Sequence, residues 1–171
     1  AEQLDPLSVG VSQSLIEVFY YSKQYDALIA QAKKSYELEP GSYAATFFLE
    51  EAYEGKGLYK EAMEAELTHL AQSGDAGADK LRKAQENGGW KAYWNAKVKM
   101  KTEEASRGYY EPYLIAVMCV RLNEKNQAFA WLEKAYKSRS SWMPTVKYDA
   151  ILDPLRSDPR FQQLQNRIRS N

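Results

Sequence analysis

One apolar grammar recurs along this chain, and a recurring segment constrains the possible fold more than any other feature of a sequence. Residues 9–40, 43–72 and 109–137 each place an apolar residue first, at Leu15, Leu49 and Ile115. Four positions later stands Phe19, Tyr53 or Cys119, and nine beyond that Leu28, Ala62 or Ala128. The first two repeats are offset by 34 residues, from Leu15 to Leu49, from Phe19 to Tyr53 and from Tyr25 to Tyr59. Within each repeat the apolar spacing follows a helical period, breaks, and resumes. The breaks fall at Ser22-Lys23-Gln24, Gly55-Lys56-Gly57 and Leu122-Asn123-Glu124. Each repeat therefore reads as a hairpin of two helices, in which the small Ala62 and Ala128 allow close approach. A lone hairpin cannot cover its apolar face, so such hairpins stack on one another.

The punctuation around the repeats agrees. Pro40 stops the second helix of the first repeat. Asp5-Pro6 reads as the same stop, so Gln3–Pro6 looks like the end of a helix that begins earlier, in a longer protein. The segment 75–106 is irregular. Two helical stretches, about 76–86 and 90–105, flank Asn87-Gly88-Gly89, and Gly pairs end helices. Trp90, Tyr93, Trp94 and Val98 would form the buried stripe of the second stretch. The final segment, 144–171, reads as an end cap. Asp153-Pro154 and Asp158-Pro159 each place an N-cap oxygen before a proline at the first helical position. Phe161, Leu164 and Ile168 give a last helix, 159 to about 169, one apolar face.

This grammar resembles the tetratricopeptide repeat (TPR) pattern. The resemblance implies an all-α fold, a TPR-type helical-hairpin solenoid or alpha-alpha superhelix. It would have three to four hairpins plus a C-terminal capping helix, with residues 1–171 as a single domain. Residues 129–164, FAWLEKAYKSRSSWMPTVKYDAILDPLRSDPRFQQL, are similar to the C-terminal end of TPR regions in large bacterial signalling proteins. Those carry an N-terminal winged-helix DNA-binding domain or a Ser/Thr kinase domain, often with a membrane segment and a TolB-like domain before the repeats. The resemblance implies the C-terminal interaction or sensing region of a bacterial transcriptional regulator or signalling protein. Its parent could lie in the cytoplasm or place this part on the extracytoplasmic side of a membrane. Two departures stand out. Leu28 and His69 occupy positions where the family has small residues, which implies looser local packing.

Composition narrows the chemistry. The chain has 23 basic and 23 acidic residues, so no chain-wide basic field favours nucleic acid. The neutral total hides a division. Residues 1–75 carry 5 basic and 13 acidic side chains and residues 76–171 carry 18 and 10, so −8 precedes +8. The longest fully apolar run, 113–120, is too short for a bilayer, which takes roughly 20 residues. The one His, His69, and the one Cys, Cys119, fall in different hairpins, too far apart in pattern for a nucleophile–base dyad. Zinc needs three or four N/S ligands, so no metal and no cofactor is expected. Glu50, Glu51, Glu54, Glu61, Glu64 and Glu66 read as solvated helix faces. Lys97, Lys99, Lys101, Arg156, Arg160, Arg167 and Arg169 read as salt-paired or solvated surface. The glycines at 74–77 and 87–89 lack the context of a phosphate loop. The expectation is a non-enzymatic protein–protein interaction scaffold.

In solenoids of this kind the first helix of each hairpin lines the concave face. By helical spacing, the partner-binding groove comprises Gln13, Glu17, Tyr20 and Tyr21 from the first repeat and Phe47, Glu51 and Glu54 from the second. Tyr110, Tyr113, Val117 and Arg121 complete it. Tyrosines supply large contact area at low entropy cost. Acidic side chains there would repel a peptide's terminal carboxylate and favour a basic or neutral segment. The rival expectation is a self-association module. Its acidic and basic halves would stack head to tail into a homodimer or ladder that salt weakens.

Overall fold

The computed structural model describes residues 9–108 and 110–169, with the side chains of residues 9, 10, 11 and 13 outside the described set. All of its elements are helical, and no strand occurs among the described residues. The expected helix ending at Gln3–Pro6 lies outside them. The chain divides into two compact units, Ala1–Lys83 and Ala84–Asn171.

The first unit contains α1 (Val9–Tyr21), α2 (Tyr25–Leu38), α3 (Tyr43–Gly55) and α4 (Tyr59–Gln72). These are the two hairpins expected over 9–40 and 43–72. Each helix packs against the next, and α1 also meets α3. Ile16, Leu28, Ala32, Leu49 and Ala52 form the core. α2 and α3 are joined by a turn at Pro40 and Gly41, and the Ser42 hydroxyl then caps α3 by accepting the Ala45 N–H. The close approach of α2 to the end of α3 depends on Gly55, where a Cβ would collide with the Tyr25 ring.

α5 (Ala78–Ser106) starts in the first unit and continues into the second. It breaks where the two helical stretches were expected to part. Gly88 and Gly89 are non-helical, and Gly89 has φ 59. Of the expected stripe on its second arm, Tyr93 and Trp94 are buried, while Trp90 and Val98 are half-buried.

The second unit adds α6 (Pro112–Arg121) and α7 (Lys125–Lys137), the hairpin expected over 109–137, and α8 (Pro159–Arg169). Two 3-10 segments, Met143–Lys147 and Ala150–Leu155, lie between α7 and α8. Ala150–Leu155 packs on α6, while α8 packs on α7 and on Met143–Lys147. Ile115, Cys119, Leu132, Leu152, Leu155 and Phe161 are among the buried core. The expected start at Asp153-Pro154 is corrected. Asp149 is the cap, its Oδ1 accepting the Ile151 N–H at 2.9 Å. Asp153 and Pro154 fall inside the 3-10 segment, where the Asp153 carboxylate instead accepts Arg156 Nε–H at 2.6 Å. Asp158 does cap α8, accepting the Arg160 N–H at 3.0 Å.

The three hairpins close with the same turn. The N–H of Gln24, Leu58 and Glu124 donates to the carbonyl five residues back, on Phe19, Tyr53 and Cys119, at 2.9, 2.8 and 2.9 Å. One position earlier, Lys23, Gly57 and Asn123 bond to Tyr20, Glu54 and Val120, with φ of 56, 74 and 60. This paired bonding with one left-handed residue is the Schellman closure, which satisfies the last carbonyls of a helix. Leu28, Ala62 and Ala128, at matching positions beyond the turn, are all fully buried. The apolar pattern and the backbone therefore repeat at the same residues.

Candidate partner-binding surface

The structure spreads the eleven expected groove residues over both units and over very different environments. The side chain of Gln13 lies outside the described residues. On α1, Glu17 and Tyr21 are exposed, but Tyr20 is buried, its ring edge-on to Phe48 with centroids 5.4 Å apart. On α3, Phe47 and Glu54 are half-buried, and Glu51 is only 4% exposed. On α6, Tyr113 and Val117 belong to the core of the second unit. The Tyr113 hydroxyl donates to Asp149 Oδ2 at 2.6 Å, and its ring stacks on Trp142 at 5.9 Å and 7°. Tyr110 is half-buried beneath the Lys101 ammonium, 5.0 Å from the ring centre. The Arg121 guanidinium lies 4.6 Å from the Trp94 ring centre.

Tyr20, Glu51, Tyr113 and Val117 are thus not open surface. Helical spacing identifies the side of a helix on which a residue lies. It does not reveal whether another segment covers that side, and Asp149 and Trp142 cover Tyr113. The same correction applies to three carboxylates read as solvated faces and to one lysine read as salt-paired or solvated surface. Glu50, Glu51 and Glu66 are buried and engaged. Lys97 is buried as well, its ammonium 4.1 Å from the Trp94 ring centre. Arg156, Arg160 and Arg167 are paired as expected, with Asp153, Asp158 and Glu133.

A cleft of about 340 Å³ opens on the other side of α3, where the sequence had suggested no site. Tyr36 of α2, Thr46, Leu49 and Tyr53 of α3, and Glu61, Glu64, Ala65 and Thr68 of α4 line it. Two side-chain bonds join these helices, Tyr36 of α2 to Gln72 of α4, and Asp26 of α2 to Lys56 after α3. The cleft's sequence signal is faint. Thr46, Leu49 and Tyr53 share one stripe of α3, and Glu61, Glu64 and Thr68 share one stripe of α4. Neither stripe points to a cleft until α2 is placed.

The second unit has a hollow of about 300 Å³ between α7 and α8, but its charges are spent. Arg167 forks onto Glu133 at 2.8 and 3.1 Å, and its guanidinium lies 4.2 Å from the Tyr136 ring centre. Arg160 grips Asp158, donates to Asn126 at 2.9 Å and lies 4.1 Å from the Phe129 ring centre. The Arg160 hydrogen bonds hold the Asp158 carboxyl down at about 2, and the Arg167 fork lowers that of Glu133. These arginines clamp α8 onto α7.

The two residues weighed as a nucleophile and base, Cys119 and His69, are both buried. Cys119 is fully buried, and burial, with a smaller contribution from Glu124, pushes its thiol up to about 12. Such a thiol is not a thiolate at neutral pH and is a poor nucleophile. His69 is buried on α4 beside the Tyr43 ring, at 5.9 Å. Among the described residues no group of three His, Cys, Asp or Glu could hold a metal ion. None of their helices is long and apolar enough to cross a membrane. No protein-family model matches the chain, and comparisons with curated proteins and with solved structures find no match.

Proposed function

We propose that this chain is a TPR-type helical-repeat module that binds a protein or peptide partner and performs no covalent chemistry itself. The observation that carries this reading is the threefold repetition of one hairpin. The same closing turn and the same buried position recur at Lys23 and Leu28, Gly57 and Ala62, and Asn123 and Ala128. Repeated hairpins create extended surfaces suited to binding. The buried, protonated Cys119 supports a non-enzymatic role. In a longer parent, the module would act as the C-terminal interaction or sensing region of a bacterial regulator or signalling protein. The full chain should retain a charge-dependent subset of an immobilised array of 15-residue peptides, and retention of none would overturn the reading.

Self-association is a second reading, favoured by one observation. Val18 on α1 is 58% exposed, whereas Ala52, 34 residues later on α3, is fully buried. A second chain could cover α1 as α2 covers α3. Light scattering at low and high salt separates the readings. A monomer at every concentration rejects self-association.

A further inference from the structure

We infer that the cleft over α3 seats a basic peptide segment, with an Arg or Lys side chain entering beside an apolar neighbour. This rests on the interaction-module reading and assigns that module's site and ligand chemistry. Apart from the Tyr53 hydroxyl, the cleft's polar groups are acceptors. Thr68 spends its hydroxyl proton on the Glu64 carbonyl at 2.7 Å, and Thr46 spends its own on the Ser42 carbonyl at 3.1 Å. The Tyr36 hydroxyl donates to Gln72 Oε1. Each of these oxygens keeps lone pairs but has no proton left to give.

Glu61 and Glu64 add two carboxylates and no donor. Glu61 is exposed and forms no ion pair among the described residues. Glu64 lies 3.8 Å from Arg82, with both side chains more than two-fifths exposed. A pair that long and that wet is worth little, so an incoming cation can displace or share it. Leu49 and Ala65 offer apolar surface, and Tyr36 and Tyr53 offer rings to the stem and head of a cationic side chain. Among the described residues no cationic side chain lines the cleft, and Arg82 approaches only Glu64, so an anionic segment would meet like charge. The volume is at the low end for small-ligand sites, which suits one or two side chains of a longer segment.

The test uses the full chain labelled with 15N and two blocked peptides, Leu-Arg-Gly-Arg-Leu and its Glu-for-Arg counterpart. Arg-peptide titration should shift the amides of Tyr36, Thr46, Ala65 and Thr68, and the Glu peptide should leave them unmoved. The double variant Glu61→Gln/Glu64→Gln, at sites with solvent access, should keep the wild-type fold, with free-state shifts altered only around positions 61 and 64, and weaken binding about tenfold. Shifts confined to Glu17, Tyr21 and Phe47, insensitive to the double variant, would overturn the cleft and leave the module reading intact. Equal binding of the Glu peptide would overturn the basic-ligand assignment. Failure of both peptides here, with retention of others on the array, would do the same. Failure here together with an empty array would overturn both readings.

Discussion

The hairpin turns demand backbone freedom at single residues, and the chain supplies it unevenly. Gly57 adopts its φ of 74 without a Cβ penalty, whereas Asn123 at 60 and Arg139, after α7, at 55 bear one. Gly57→Ala should cost about 1 kcal/mol. Arg139→Gly should gain up to about 1 kcal/mol, and Asn123→Gly less, because Asn tolerates the left-handed region. Urea unfolding of the three variants checks the order. Tyr113→Phe should cost about 1–3 kcal/mol, because Asp149 would lose a buried donor; the same unfolding curves measure it. The turns were legible in the sequence as breaks in the apolar period. Tyr113 was misread because the segment that buries it arrives 36 residues later, beyond the reach of any local pattern.

At the scale of elements, the helices were readable because their breaks, glycines and prolines stand at their ends. The 3-10 segments were not, since Pro154 in a short 3-10 turn looks the same in sequence as proline at a helix start. Close packing within hairpins yields a direct prediction. Ala62→Trp or Ala128→Trp should overpack its hairpin and cost about 1–3 kcal/mol or more. An unchanged melting curve would contradict the observed register. The clamp on α8 yields another. Asp158 and Glu133 are both held below their ordinary values of 3.8 and 4.5. Groups depressed in the fold stabilise it above those ordinary values and lose that contribution as pH falls through the folded ones. Between pH 5 and about 2, therefore, α8 should lose protection in hydrogen exchange as the two carboxylates take up protons. Arg167→Gln should remove the part of this acid sensitivity that belongs to Glu133. Protection of α8 that stays constant over this range would refute the clamp.

At the scale of the molecule, the sequence showed that hairpins repeat but gave no boundary at Lys83, since α5 runs through it as a continuous helical pattern. It also could not show the cleft, which needs side chains from three helices whose packing no linear pattern states. Glu61 and Glu64 were visible as charges and became informative only beside Tyr36, Leu49 and Tyr53. The most direct test of the account is calorimetric titration of the full chain, at low and high salt, with the basic peptide it retains best on the array. The account predicts saturable binding of one peptide per chain that weakens as salt screens the acidic cleft. Absence of binding, or an affinity indifferent to salt and to reversal of the peptide's charge, would contradict it.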